Sequence, residues 1–214
     1  MEGFNVFNDR GELIIDSTVK NIGTVAVQSI GTITPSQGAA RPAWFVGDLG
    51  IPKLPVIDGK IPLTLLRPND GCGGCGESFY TAYGGDLIHL RQDYSVESGY
   101  LDVFDPSGNL IWSAISASKV PRVVNVINVT AQQIKDGVEV YIGNSCIMMN
   151  GWPAIFYPGP MGTSRVGGIY WQYTKSTGML KLQYSFKGNA SIIDYVQTAY
   201  GDVGFNIYLY EFGT

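Results

Sequence analysis

Two cysteines stand three positions apart with only glycine between them, in Cys72-Gly73-Gly74-Cys75. Thiolates at this spacing can share one metal ion, because the turn between them points both sulfurs inward. A tetrahedral site needs two further ligands, and outside the carboxylates the chain offers only Cys146 and His89, its remaining cysteine and its single histidine. Cys72, Cys75, Cys146 and His89 are therefore the candidate set for a structural zinc, and no other cofactor is expected. The second short-spaced pair that such knuckles usually have is missing. A disulfide between two of the three cysteines and three reduced thiols thus stay open beside the metal. Thioredoxin-like redox chemistry is not expected, since Gly-Gly supplies no helix N-terminus to lower a thiol pKa.

Catalysis finds little to work with. His89 sits in the apolar run Leu87-Ile88-His89-Leu90, with no evident serine or cysteine partner for a nucleophile and base pair. The aspartates are scattered, mostly at turns, with neither a calcium-loop pattern nor a glycosidase-like pair. The expectation is a protein that is not an enzyme and has no catalytic residues.

Contact chemistry is better represented. Asn150 to Met161 concentrates Trp152, Phe156 and Tyr157 among prolines and glycines. Stiff amphipathic rings of this kind serve a protein partner or a sugar ring, and Trp44 is a further candidate. The competing reading makes the same segment a hydrophobic plug at one end of a β-sandwich. In the run from Phe205 to Tyr210, Phe205, Ile207 and Leu209 alternate with Asn206, Tyr208 and Tyr210. One face suits a core, and the other presents Tyr208 and Tyr210 to a rim or a partner.

The elements that must position these residues read as strands. The chain has 214 residues, with 28 Gly and 11 Pro to break helices and 13 Tyr and 9 Phe to fill strands. One stretch occurs twice. Val6-Phe7 corresponds to Val103-Phe104, Asn8 to Asp105, Gly11 to Gly108 and Leu13-Ile14 to Leu110-Ile111, at a constant spacing of 97 positions. Each copy predicts a β-hairpin closed by an Asx residue and a glycine. Matching Lys20 to Lys119 extends the repeat with a two-residue insertion and brings Val25 onto Val124 and Val27 onto Val126.

Elsewhere, Ala43 to Val46 reads as a short buried strand. Ile61 to Leu66 reads as an edge strand because of Pro62, and Phe79 to Tyr83 with Leu87 to Leu90 as a further hairpin about Gly84-Gly85. Val129 to Gly137 is the one helical turn expected, with Thr130 as N-cap, Gln133 three residues later and Gly137 as its stop. The expected fold is all-β: two β-sandwich-like modules, 1–98 with the Gly/Cys loop and 99–214, or alternatively one sandwich built from two related halves.

Charge is sparse. Lys and Arg number 14 against 18 Asp and Glu, and charged residues make up 15% of the chain, where about a quarter is ordinary. Sparse charge with many aromatics points to surface that neighbours cover, as in an assembly subunit, or to a secreted domain coated with Gly, Ser, Thr and Asn. No basic stripe offers a nucleic-acid footprint. Apolar runs such as Ala154 to Tyr157 fall well short of the ~20 residues that span a bilayer. Met1-Glu2-Gly3-Phe4 leads directly into a strand without a basic and apolar leader, so synthesis in the cytosol is expected, with any export by another route such as cell lysis.

The twin segments Gly3-Phe4-Asn5-Val6-Phe7-Asn8, with Gly11 and Asp16-Ser17, and Val103-Phe104-Asp105, with Ser107 to Ser113 leading to Lys119 to Val124, resemble small virion structural proteins of tailed bacteriophages. The resemblance covers the two hairpin regions and carries no catalytic motif. It implies a β-rich structural subunit of a phage tail, in the tip, baseplate or fibre-attachment region. Such a subunit packs against other tail proteins and copies of itself and is located in the virion tail. The alternative it leaves is a host-attachment module that recognises a surface glycan or protein.

Overall fold

The computed structural model describes residues 5–7, 13–16, 20–30, 59–60, 62–75, 78–79, 84–152, 154–158, 164–184 and 205–212. Its strands are β1 (Asn5–Phe7), β2 (Leu13–Asp16), β3 (Gly23–Ile30), β4 (Leu63–Pro68), β5 (Gly73–Cys75), β6 (Ser78–Phe79), β7 (Gly85–Arg91), β8 (Asp102–Phe104), β9 (Leu110–Ser113) and β10 (Pro121–Val129). After a single turn of α-helix, α1 (Ala131–Asp136), come β11 (Val138–Tyr141), β12 (Cys146–Met148), β13 (Ala154–Pro158), β14 (Ser164–Thr174), β15 (Met179–Tyr184) and β16 (Phe205–Phe212). The protein is all-β, as its composition requires.

Two large sheets face one another. The first runs β10-β16-β12-β4-β7-β3 and the second β11-β15-β14-β5-β6, with β13 paired to β14. Every pairing is antiparallel. Leu66, Leu87, Ile147, Ile207 and Leu209 of the first sheet pack with Ile169, Trp171, Tyr173, Leu180 and Leu182 of the second in one buried cluster, which makes the pair a β-sandwich. Each buried leucine or isoleucine there contributes roughly 1.5–3 kcal/mol. The first sheet is also apolar on its other face, where Leu65, Ile88, Leu90 and Cys146 are buried with Leu63, Met148, Tyr210 and Phe212 around them. Burial on both faces explains why β4 and β7 read as nearly unbroken apolar runs.

Strand partners correct three expectations. β4 is central, between β12 and β7, because Pro62 lies just ahead of the ladder and its missing N–H is not needed there. The Thr64 N–H donates to the Asn150 carboxamide oxygen at 2.6 Å, and the Thr64 carbonyl accepts from Met149 N–H at 2.9 Å. β6 pairs with β5 in the second sheet and β7 with β3 and β4 in the first, so the expected hairpin about Gly84-Gly85 is not formed by these strands. Segments 1–98 and 99–214 interleave: β4 pairs β12, and β5 pairs β14, so a cut near residue 98 would pass through both sheets. The expected strand Ala43 to Val46 lies outside the described residues.

The duplication holds in detail. β1 and β2 pair Asn5 with Asp16, Val6 with Ile15 and Phe7 with Leu13; β8 and β9 pair Asp102 with Ser113, Val103 with Trp112 and Phe104 with Leu110. The registers coincide at the same 97-residue spacing, and the extra residue of each ladder is the equivalent Ile14 or Ile111. In the second copy the Asp105 carboxylate accepts from the N–H groups of Ser107 and Asn109, and Gly108 takes φ +84 to close the turn.

The repeat continues into the first sheet. β3 and β10 are its two edge strands, and each has a bulge at the matched valine, Val25 between Thr24 and Ala26, and Val124 between Val123 and Asn125. Laid flat, six strands at ordinary spacing would hold these edges about 24 Å apart. The Thr24 hydroxyl nevertheless donates to the Lys119 carbonyl, two residues before β10, at 3.0 Å. The sheet therefore curls until the starts of its two edges meet. Five antiparallel pairings separate β3 from β10, so from that junction the edges run in opposite directions.

Candidate functional site

The Cys72 and Cys146 thiols do not converge. Cys72 is wholly buried in the cluster between the sheets, whereas Cys146 belongs to the cluster on the far face of the first sheet. Alternation along β4 and β12 puts that sheet between them, so the four-ligand set drawn from the sequence is not assembled around these two sulfurs. Both are free thiols. Burial pushes the Cys72 thiol up to about 12 and the Cys146 thiol upward as well. The thiolate is the form that binds metal and attacks electrophiles, so burial works against both roles.

Cys75 ends β5 opposite Tyr170. His89 is buried within hydrogen-bond distance of the Thr64 hydroxyl, Nδ1 to Oγ1 3.1 Å, and burial lowers its pKa. Among the described residues no three His, Cys, Asp or Glu stand close enough to hold one ion.

The aromatic candidates divide. Trp152 is 4% exposed and makes edge contacts with Trp171, centroids 5.9 Å apart, and Phe205, at 5.0 Å. Its indole N–H donates to the Met148 carbonyl. This ring plugs the space between the sheets and presents no face to a sugar, the second of the two readings its sequence allowed. Phe156 and Tyr157 lie in β13 opposite Val166 and Arg165. Trp44 lies outside the described residues. Ile207 and Leu209 are buried between the sheets as the alternation predicts, whereas Tyr208 and Tyr210 lie half-buried on the opposite face of β16, where Tyr210 packs against the cluster of Leu65, Ile88, Leu90 and Cys146 instead of standing open to a partner. Tyr208 stands opposite Val126, Tyr210 stands opposite Val123, and the Tyr210 hydroxyl donates to the Met148 sulfur at 3.9 Å.

Among the described residues, two apolar surfaces that sequence reasoning passed over are exposed, apart from Ile22, Val27 and Tyr141 elsewhere. The first is the edge of β10, where Val123, Val124 and Val126 are 52%, 47% and 46% exposed. The signal was present in the run Val123-Val124-Asn125-Val126-Ile127, whose alternation allows two registers; the bulge at Val124 selects the one that turns Ile127 and Val129 inward.

The second surface surrounds the β8–β9 hairpin, where Tyr100 is 99% exposed and Leu101, Phe104 and Ile115 stand open beside it. A well-anchored strap carries this hairpin. Tyr94 is buried against Gly23, the Lys20 ammonium lies 4.8 Å from the Tyr94 ring centroid, and Lys20 also donates to the Tyr94 carbonyl at 2.6 Å. Lys119 pairs with Glu97 at 2.5 Å, and the Glu97 N–H donates to the Ser116 hydroxyl at 2.8 Å. Asp102 accepts from the Ser98 hydroxyl and the Gly99 N–H, and these bonds hold its carboxyl below the usual carboxylate range. The arrangement supports contact: rigid β elements present apolar side chains outward.

The family model described as a domain of unknown function, DUF8377, matches residues 1–214. The chain belongs to that family. No curated protein and no solved structure matches it. The match to the DUF8377 model spans both hairpins, both large sheets and both exposed apolar surfaces. Among the described residues of this DUF8377 chain no helix is long and apolar enough to cross a membrane.

Proposed function

We propose that this chain is a structural subunit of a phage tail, in the tip, baseplate or fibre-attachment region, and that it acts by packing against copies of itself and other tail proteins. The observation that carries the reading is the exposed apolar surface of a charge-poor chain: Tyr100, Leu101, Phe104 and Ile115 around one hairpin, and three valines along β10. Isolated soluble domains rarely leave such groups in contiguous patches, and partner surfaces cover them. The resemblance of the twin hairpins to tail virion proteins supplies the context. Glycan recognition through Trp152 is the weaker reading, because its ring is engaged by Trp171 and Phe205. The test is mass spectrometry and immunogold imaging of purified tailed particles whose genome encodes the chain. A stoichiometric signal on the tail is expected, and its absence from washed particles overturns the proposal.

A further inference from the structure

We propose that β10 pairs edge to edge with β10 of a second copy of this chain, antiparallel about a two-fold axis near Val126. This rests on the assembly reading above and names one partner and one strand for it. β10 ends the first sheet, and among the described residues no strand pairs on its other side. Edges that stay in water are blunted by lysines, prolines or inward charges. From Val123 to Val129 this edge has none of these, and its one protective feature is the bulge at Val124. Past the bulge, Asn125 to Val129 continue in regular register. The Val126 N–H donates to the Asn125 carboxamide oxygen at 2.8 Å, so a side chain satisfies a donor that no strand reaches. Such a bond can be exchanged for a carbonyl on an incoming strand.

A second copy suits this edge for reasons of charge and symmetry. The strand's single charge, Arg122, lies at its beginning. Antiparallel pairing near Val126 leaves the two Arg122 side chains at opposite ends of the paired strands, and apolar and amide side chains meet in between. An isologous contact also brings each residue near its own counterpart, and the experiment uses that property. Sedimentation velocity of the full chain, wild type, V126K and V126E, is measured across a wide concentration range, and circular dichroism confirms that each variant is folded.

The wild type is expected to dimerise. Each charged variant alone is expected to weaken the dimer about tenfold or more, since like charges then face each other across the strands. An equimolar mixture of V126K and V126E is expected to restore it. A monomeric wild type, an undiminished V126K dimer, or a mixture that stays monomeric overturns the inference. The two proposals fail separately: a chain found in particles but monomeric through β10 refutes this interface alone, whereas a β10 dimer absent from particles refutes the tail assignment alone.

Discussion

Replacing Trp152 with alanine separates plug from contact residue most sharply. The side chain fills the space between Trp171 on β14 and Phe205 on β16, so it bridges the two sheets. Removing a buried aromatic of this size costs about 3–5 kcal/mol, because the rigid strands around it relax only partly into the cavity. Two edge-on ring contacts of about 0.5–1.5 kcal/mol each are part of that loss. The Met148 carbonyl also loses its indole donor. W152F keeps a ring and loses the N–H, so it is expected to cost less than W152A. Urea unfolding followed by far-ultraviolet circular dichroism measures both. If W152A loses under about 1 kcal/mol while binding to a glycan or a partner is abolished, the plug reading is refuted.

Further outcomes follow from single contacts. A Cβ at Gly23 would come within 2.5 Å of the Tyr94 ring, so G23A is expected to lower stability by about 1–3 kcal/mol in the same unfolding assay. Burial lowers the His89 pKa from the ordinary 6.5, so below pH 6.5 the unfolded chain binds the proton more readily than the folded one. Stability from this group is thus complete above that pH and is lost as pH falls toward the folded-state value. H89Q should flatten that part of the pH dependence and leave the more acidic carboxylate region unchanged. Cys72 and Cys146 should resist iodoacetamide in the native protein and react on unfolding, as read by peptide mass spectrometry.

Local chemistry was legible in the sequence. The Asp105 and Gly108 turn, the Thr130 and Gln133 capping box and the alternation of β16 each depend on residues a few positions apart, and each formed as expected. The match of Val25 to Val124 was also readable, although only the ladders reveal that both are bulges.

Partner choice was not legible. Nothing near Leu63 shows that β12, some eighty residues later, will flank it, and nothing in Ser78-Phe79 shows that it joins the opposite sheet from β7. Cys72 and Cys146 could be grouped by residue type alone, but the faces that separate them are set by strand register. Trp152 has the composition of a contact loop, and its burial is decided by Trp171 and Phe205, which lie far along the chain.

The place of β16 in the first sheet has a consequence for synthesis. This strand, residues 205–212, lies between β10 and β12, so during translation the sheet has a gap until it emerges from the ribosome. Until then, among the described strands, β10 has no neighbour in the sheet and β12 lacks one of its two, and such unpaired edges favour aggregation. Pairings this distant in sequence also make folding slow. A ribosome-bound chain stalled before Phe205 should be protease-sensitive throughout β10 and β12, and release of the last strand should protect the sheet in a single step.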